Sequence, residues 1–198
     1  MDPHTAESLA FWAQDRPGKA AHYWASAAEP WRQDLLDALA PVAPFSSIFE
    51  VGCNSGPNYR RLRETFGAFP YTGLDVCGSA LVAAVHYAKR DQIPGEAHWI
   101  LGSLLTDATA WASRSFDLVF ASSILSVIAP ADLAAALGEM LRLSARVVAI
   151  QEPAEAQHDQ AFHQWAHDYR EELRAIDRGQ WTWTAGPIWV GVRTLIPE

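Results

Sequence analysis

Cysteine is scarce in this chain of 198 residues, which contains only Cys53 and Cys77. Two thiols are too few for a disulfide framework or for a cysteine-based zinc cluster. The composition therefore favours a reducing compartment, and we expect a cytoplasmic protein. A chain of this length can bury a core large enough to fold without such cross-links.

Basic residues are also few. The chain has 15 Lys+Arg against 23 Asp+Glu, a formal net charge of −8, and its lysines are Lys19 and Lys89. A protein that binds nucleic acid through phosphates needs clustered basic side chains. The densest basic run, residues 60–63, lies on a predicted helix and is typical of a solvated helix face. We therefore expect no nucleic-acid partner.

Long apolar runs are missing as well. No stretch approaches the roughly 18 uncharged apolar residues of a membrane span, and residues 1–7 lack the basic start and apolar run of a signal peptide. We therefore expect no membrane partner. The remaining composition, 49% hydrophobic and 19% charged, is that of a globular chain rather than a disordered one.

Tryptophan, by contrast, is abundant, with nine residues against two methionines. Several of these aromatics fall in residues 1–44, which have a helical pattern that Pro41 and Pro44 close. We interpret residues 1–44 as an N-terminal helical lid segment and residues 45–198 as the core of a single domain. An equally weighted alternative is that these aromatics only pack the first helices onto a sheet.

The core alternates between strand and helix patterns. The clearest helix is residues 131–143, with apolar residues at i, i+3, i+4, i+7 and i+8. A second helix carries Leu81, Val82, Val85 and Ala88 on one predicted apolar side. The predicted strands are residues 47–51, 71–75, 98–101, 116–121, 146–150, 181–184 and 188–196. The predicted helices are residues 58–66, 79–89, 105–112, 131–143 and a long amphipathic helix over 158–176.

This alternation predicts an α/β fold. Five strands separated by helices indicate a parallel sheet covered on both faces. The last two strands are separated only by residues 185–187, so we expect an antiparallel hairpin at one edge. The result is a doubly wound, mostly parallel seven-stranded sheet, whose ligand should lie at the carboxyl ends of the strands.

Residues 50–56, Glu-Val-Gly-Cys-Asn-Ser-Gly, stand at the turn from the first strand of this core to its first helix. Gly52 and Gly56 allow a tight turn and close approach of a ligand, and Asn54 tolerates positive φ. Asp75 ends the second strand, where an acid accepts hydrogen bonds from ribose hydroxyls. The pattern predicts a ligand that contains a ribose.

The spacing of the glycines argues against a dinucleotide. A G-x-G-x-x-G pattern counted from Gly52 needs glycines where Asn54 and Pro57 stand. A carboxylate at Glu50 also faces a pyrophosphate unfavourably. A nicotinamide-dependent oxidoreductase is therefore disfavoured. A ligand with a ribose and a positively charged amino-acid part fits better, and S-adenosylmethionine is such a ligand.

With these features the chain resembles the class I S-adenosylmethionine-dependent methyltransferases, clearly over about residues 46–152. Their first motif is E/D-x-G-x-G-x-G, which residues 50–56 match except that Asn54 replaces the middle glycine. The resemblance implies a Rossmann-like methyltransferase fold with S-adenosylmethionine as cofactor. It implies cofactor-binding roles for Tyr23, Glu50, Gly52, Cys53, Asn54, Gly56, Asp75, Val76, Ser103, Leu104 and Ser122.

The resemblance also assigns these residues to parts of the cofactor. The glycine-containing turn would line the methionine part, and Glu50 would support its ammonium. Asp75 would hold the ribose hydroxyls, and Val76 would pack on the adenine. Ser103 stands where the family often has an acid near the adenine amine. Ser122 follows the fourth strand and would lie beside the transferred methyl group.

Candidates for a general base follow the fifth strand. An oxygen or nitrogen acceptor can require such a base, and the candidates are Glu152, His158, His163, His167 and Tyr169. The i, i+4 spacing of His163 and His167 on a predicted helix can ligate a metal. No further ligand set accompanies them, so we expect no metal, and a solvated helix face is the commoner explanation of these histidines.

The N-terminal segment would complete the acceptor pocket. Tyr23 could reach the carboxylate of the cofactor, and Trp12 or Trp24 could wall the pocket. The chain has no large insertion that would form an acceptor domain, which favours a small-molecule acceptor, with a protein side chain as the alternative. We expect O- or N-methylation. An alternative is a non-catalytic binding or partner protein with this fold. Two departures from the family pattern motivate it: Asn54 replaces the middle glycine, and Ser103 stands where the family often has an acid.

Overall fold

The computed structural model describes residues 1–16, 18–152, 163–184 and 188–194. Their centre is a seven-stranded sheet with the order β3-β2-β1-β4-β5-β7-β6. The strands are β1 Ile48–Val51, β2 Tyr71–Asp75, β3 Ala97–Leu101, β4 Phe116–Ser122, β5 Ser144–Gln151, β6 Trp181–Thr184 and β7 Ile188–Arg193.

Helices cover both faces of this sheet. The N-terminal segment contributes the first three, and most of the others connect parallel strands. The helices are α1 Pro3–Trp12, α2 Lys19–Ala25, α3 Pro30–Leu39, α4 Pro57–Phe66, α5 Gly78–Arg90, α6 Leu104–Asp107, α7 Pro130–Leu143 and α8 Tyr169–Ile176. Among the described residues, no helix has the length and hydropathy needed to cross a membrane.

The strand pairing confirms the predicted fold class. β1 pairs in parallel with β2 on one side and with β4 on the other, and β2–β3 and β4–β5 are also parallel. β7 is antiparallel to both β5 and β6, so the closing pair of strands forms as expected. The carboxyl ends of β1, β2 and β4 therefore meet at one edge of the sheet.

The core lies on both faces of the sheet, which explains why β1 and β4 are almost entirely buried. On one face, the predicted apolar side of α7 is buried against the strands, including Leu133, Leu137 and Met140. On the other face, α3 and α4 contribute Leu39 and Leu62. Helices on both sides of parallel strands are what buries such continuous apolar runs.

The N-terminal segment is tied to the carboxyl edge of the sheet by hydrogen bonds. The hydroxyl of Ser55, in the turn after β1, donates to the carbonyl of Ala20 in α2 at 2.8 Å. The backbone N–H of Ala129 donates to the hydroxyl of Thr5 in α1 at 3.0 Å. These bonds place α1 and α2 beside the loops that follow β1 and β4.

The prediction for the apolar side of α5 was wrong in part. Leu81 and Ala84 are buried, but Val82 and Val85 are 71% and 52% exposed. The buried positions therefore run through Ala80, Leu81 and Ala84. This helix packs near the β3 edge of the sheet, where small residues face inward and two valines remain in solvent.

The predicted long helix over 158–176 was also wrong in part: residues 169–176 are helical as predicted, whereas residues 163–168 are not. The helix begins at Tyr169, because the side chain of Asp168 accepts the N–H of Glu171 at 3.0 Å and caps its first turn. Residues 163–168 are not helical, and His163 has a positive φ of 49°. His158 and the rest of residues 153–162 lie outside the described residues.

Alanine substitutions on α5 test which side is buried. Leu81→Ala should lower the free energy of unfolding by about 2–5 kcal/mol, because it removes buried methyl groups and leaves a cavity. Val82→Ala should change it by less than about 0.5 kcal/mol, since that side chain is in solvent. Urea unfolding of the two variants checks this, and equal losses would contradict the observed orientation.

Candidate cofactor and acceptor site

A cavity of about 260 Å³ lies at the carboxyl edge of the sheet. Its walls come from the turn after β1, the ends of β2, β3 and β4, and the N-terminal segment. Ten of the eleven predicted cofactor residues line it: Tyr23, Glu50, Gly52, Cys53, Asn54, Asp75, Val76, Ser103, Leu104 and Ser122. Gly56 does not.

The turn after β1 shows why its residue types are needed. Gly52 has φ +70°, and a Cβ there would clash with the side chain of Ile124. Asn54 has φ +46°, so it adopts the left-handed conformation without being glycine. Gly56 has φ +84° at the start of α4, and a Cβ there would lie 2.6 Å from the ring of Trp99. Gly56 therefore shapes the turn instead of lining the cavity.

Asp75 is fixed by the turn that it faces. One carboxylate oxygen accepts the N–H of Asn54 at 2.7 Å, and the other accepts the N–H of Cys77 at 2.8 Å. Burial raises the pKa of this carboxyl group, while these backbone donors and the charge of Lys19 oppose the rise. Each oxygen keeps a lone pair for a further donor. The geometry suits a ligand with two neighbouring hydroxyls.

Glu50 is the second buried carboxylate of the cavity. It is 1% exposed, and its oxygens accept hydrogen bonds from the amide of Asn58 at 2.7 Å and from the hydroxyl of Tyr71. Burial raises its pKa to about 7, although both hydrogen bonds oppose the rise. A cationic ligand group would favour the charged form of this carboxylate.

Polar cavity residues that the sequence analysis missed include Arg32, Lys19 and Asn58. Arg32 of α3 donates to the carbonyl of Ser26 at 2.9 Å and to the side-chain oxygen of Asn58, and burial lowers its pKa to about 10. Lys19 of α2 lies 4.1 Å from the ring centroid of Trp12, and burial lowers its pKa. Asn58 links Arg32 to Glu50. Arg32 and Lys19 lie outside the glycine-containing motif at residues 50–56.

Two predicted cofactor residues have clear structural partners. The hydroxyl of Ser103 accepts a hydrogen bond from the N–H of Leu105 at 3.3 Å, and the backbone N–H of Ser103 donates to the carboxylate of Asp107 at 2.9 Å. Ser103 therefore caps α6. Cys53 is 1% exposed, and burial raises the pKa of its thiol well above the usual value. It packs against Gly73, where a Cβ would lie 2.7 Å from its sulfur. A packing role for Cys53 agrees with these contacts.

Glu152 does not line the cavity but organises one of its walls. Its carboxylate accepts hydrogen bonds from the backbone N–H groups of Ile124 at 2.9 Å and Leu125 at 2.8 Å. A third, longer hydrogen bond comes from the N–H of Ser126 at 3.4 Å. Ile124 itself lines the cavity. Burial raises the pKa of Glu152 to about 7. The structure therefore gives this residue a structural contact with the loop after β4.

The other three base candidates that the structure describes also lie outside the cavity lining. His163 packs on the ring of Phe11, with centroids 5.0 Å apart. The Nε2 atom of His167 is 3.0 Å from the carbonyl oxygen of Ile128, and burial lowers its pKa. Burial strongly raises the pKa of the Tyr169 hydroxyl. From this segment, Gln164 is the described residue that lines the cavity.

The aromatic residues of the N-terminal segment divide between two roles. Trp12, Tyr23 and Trp31 line the cavity. Trp24 does not, because its ring is buried and its indole N–H donates to Asp91 at 2.8 Å. Some aromatic residues of the N-terminal segment therefore line the cavity, whereas Trp24 has a packing role. Within the described parts of the chain, no group of three or more His, Cys, Asp or Glu residues could hold a metal ion.

Comparison with known proteins decides the family. The methyltransferase-domain family matches residues 48–146, which is half of the chain and includes the turn after β1 and Asp75. The chain belongs to the class I S-adenosylmethionine-dependent methyltransferase family. The cofactor of this family is S-adenosylmethionine, as the resemblance implied.

Relatives of this methyltransferase-family chain support the assignment. It is 28% identical to a trans-aconitate 2-methyltransferase of Deinococcus radiodurans over 158 residues, which cover 77% of the chain and 56% of that protein. The chain therefore spans little more than half the length of this curated relative.

Solved structures show the same fold over nearly the whole chain. A magnesium protoporphyrin IX methyltransferase from Synechocystis PCC 6803 with bound S-adenosylmethionine has a TM-score of 0.70 at 12% identity, covering 98% of this chain and 99% of that one. Phosphoethanolamine N-methyltransferase 1 of Haemonchus contortus has a TM-score of 0.68 at 17% identity, covering 98% of this chain and 50% of that one.

Replacing Asp75 tests the cofactor half of the cavity. Asp75→Asn should weaken the binding of S-adenosylmethionine by at least about tenfold, because an amide replaces an acceptor of charge-assisted hydrogen bonds. Asp34→Asn, an exposed change on α3, is the matched control and should leave the Kd unchanged. Isothermal titration calorimetry measures both, and wild-type affinity in Asp75→Asn would contradict the assignment.

The partly buried carboxylate of Glu152 predicts a dependence of stability on pH. Its pKa of about 7 in the folded protein exceeds the ordinary value of 4.5, so the folded state binds its proton more tightly than the unfolded state does. Through this group, the free energy of unfolding should therefore fall as the pH rises from about 5 to about 7.

Glu152→Gln should flatten this part of the pH profile, whereas Glu96→Gln, at an exposed position, should leave it unchanged. Urea unfolding between pH 5 and 8 gives the three profiles. Parallel profiles for the wild type and Glu152→Gln would show that Glu152 does not titrate in this window.

Proposed function

We propose that this protein transfers the methyl group of S-adenosylmethionine to an oxygen or nitrogen atom of a small-molecule acceptor. The observation that carries the proposal is the cavity that joins the family's cofactor turn to the N-terminal segment. Residues 1–44 act in this proposal as a lid over the carboxyl edge of the sheet. Residues 45–198 form the cofactor-binding core.

The cofactor half of the cavity has a complementary group for each part of S-adenosylmethionine. Asp75 is oriented to accept from the ribose hydroxyls, and Glu50 provides a negative charge for the ammonium. Arg32 provides a positive charge, and Tyr23 a hydroxyl, for the carboxylate. Val76 and Leu104 offer apolar contacts for the adenine. All six residues line the same cavity.

The acceptor half is more apolar. Leu9, Trp12 and Trp31 come from the N-terminal segment, and Val127 and Ile128 come from the loop after β4; Gln164 adds a polar group. These walls are built by single side chains and not by a separate domain, which favours a small acceptor. Catalysis then consists mainly of aligning the acceptor atom with the methyl group for in-line displacement.

The charges of the cavity favour an anionic acceptor. Its described charged lining residues are two cations, Lys19 and Arg32, and two carboxylates, Glu50 and Asp75. S-adenosylmethionine adds one net positive charge, from its sulfonium, ammonium and carboxylate groups. The occupied site therefore has an excess positive charge that a carboxylate acceptor would neutralise. The relative named for methylating trans-aconitate supports the same choice.

A carboxylate acceptor also needs no general base, because it is already ionised at neutral pH. This agrees with the placement of Glu152, His163, His167 and Tyr169 outside the cavity lining. We further propose a cytoplasmic location, for which the two free, buried cysteines are suited. The net charge of −8 disfavours nucleic acid as the acceptor.

Binding and turnover test the proposal. We expect calorimetry to detect S-adenosylmethionine and its demethylated product, S-adenosylhomocysteine, at submillimolar concentrations. We expect release of S-adenosylhomocysteine when carboxylates are supplied, in preference to amines and phenols of similar size. Absence of binding at millimolar cofactor would overturn the proposal. Binding without turnover over the whole panel would favour the non-catalytic alternative.

A further inference from the structure

We infer that Tyr71, which lies outside the cavity, is a positioning residue that holds the Glu50 carboxylate in place for the ammonium of the cofactor. The inference deepens the proposed function and rests on it. Tyr71 is the first residue of β2 and is fully buried. Nothing in the family motif includes this position.

The geometry around Glu50 uses one neutral donor for each oxygen. The hydroxyl of Tyr71 donates to Oε2, and the amide nitrogen of Asn58 donates to Oε1 at 2.7 Å. The ring of Tyr71 is itself held by Tyr59 and Trp99, with centroid distances of 4.8 and 5.4 Å. Two rigid donors therefore fix the carboxylate that lines the cavity.

No described cation forms an ion pair with Glu50. The guanidinium of Arg32 bonds to the side-chain oxygen of Asn58 and to Ser26, so it reaches Glu50 only through Asn58. A buried carboxylate without an ion pair depends on its hydrogen-bond donors to remain charged. The hydroxyl of Tyr71 is one of the two donors that the structure provides.

Other titratable groups near Glu50 set the direction of its pH dependence. Burial and the charge of Asp75 raise the pKa of Glu50, whereas Tyr71, Asn58 and Arg32 lower it, with a result of about 7. The thiol of Cys53 also faces this carboxylate, and burial keeps its pKa well above the usual value. With its pKa of about 7, Glu50 changes charge near neutral pH.

The sign of the effect on binding follows from this titration. A proton on Glu50 competes with the cofactor ammonium, so the affinity for S-adenosylmethionine should fall as the pH drops below about 7. Loss of the Tyr71 hydroxyl removes a donor that favours the charged carboxylate. The pKa of Glu50 then rises further, and the fall in affinity moves to higher pH.

Two phenylalanine variants separate this role from general packing. Tyr71→Phe should raise the Kd for S-adenosylmethionine about tenfold at pH 7, the loss typical of a hydrogen bond to a charged group. Tyr59→Phe is the matched control, because Tyr59 is equally buried and its hydroxyl has only a 3.5 Å contact with the carbonyl of Gly95. Its Kd should stay within about twofold of the wild type.

A double-mutant cycle shows whether Tyr71 acts through Glu50. In the Glu50→Gln background, Tyr71→Phe should change the Kd by less than about twofold. Calorimetry at pH 6.0 to 8.0 should also place the fall in affinity of Tyr71→Phe at a higher pH than that of the wild type. Equal effects of the two phenylalanine variants, or an undiminished effect without the Glu50 charge, would overturn the inference.

A measurement without a Tyr71 variant covers the case in which Tyr71→Phe does not fold. In protein labelled with 3-fluorotyrosine, one fluorine resonance should titrate with the midpoint of the pH dependence of binding and stop titrating in Glu50→Gln. Absence of such a resonance would contradict the inference. Failure of the wild type to bind S-adenosylmethionine at all would instead contradict the proposed function.

Discussion

Two carboxylates, Glu50 and Asp75, are buried at the carboxyl ends of neighbouring parallel strands, and much of the site is arranged around keeping them hydrogen-bonded. Backbone N–H groups of the turn after β1 and of Cys77 serve Asp75. Side chains of Asn58 and Tyr71 serve Glu50. Burying a charge without partners is costly. The fold therefore requires these donors, including the one that the positive-φ turn presents, and the ligand site requires the same donors.

The central sheet could be predicted from the sequence because its strands are short apolar runs that alternate with helical periods. The buried side of α7 was also predicted, because Leu133 and Leu137 follow a clear helical spacing. For α5 the spacing of apolar residues was misleading, because Val82 lies at the edge of the sheet and faces solvent. The helix predicted over 158–176 was wrong over residues 163–168, because the described helix begins only at Tyr169, after the side-chain cap at Asp168.

Ten of the eleven residues predicted to bind the cofactor line one cavity, because most of them follow the ends of neighbouring parallel strands. The residues of the N-terminal segment were harder to identify. Arg32 comes from a helix, and only tertiary contacts bring it to Asn58. Glu152 was predicted as a base candidate just past the fifth strand, but three N–H groups of the loop after β4 occupy its carboxylate. Sequence position indicates which edge a side chain reaches and does not indicate which partners have already engaged it.

The contribution of the N-terminal helices to the cavity has a consequence for how specificity can vary. Leu9, Trp12 and Trp31 precede residue 48, where the match to the family begins. The wall that would contact the acceptor is therefore encoded apart from the turn that would contact the cofactor. Mutations at Leu9, Trp12 or Trp31 can therefore alter the shape of this wall while the turn after β1 stays intact. At these three positions the shape of the cavity wall can change without any change in the residues of the glycine-containing turn.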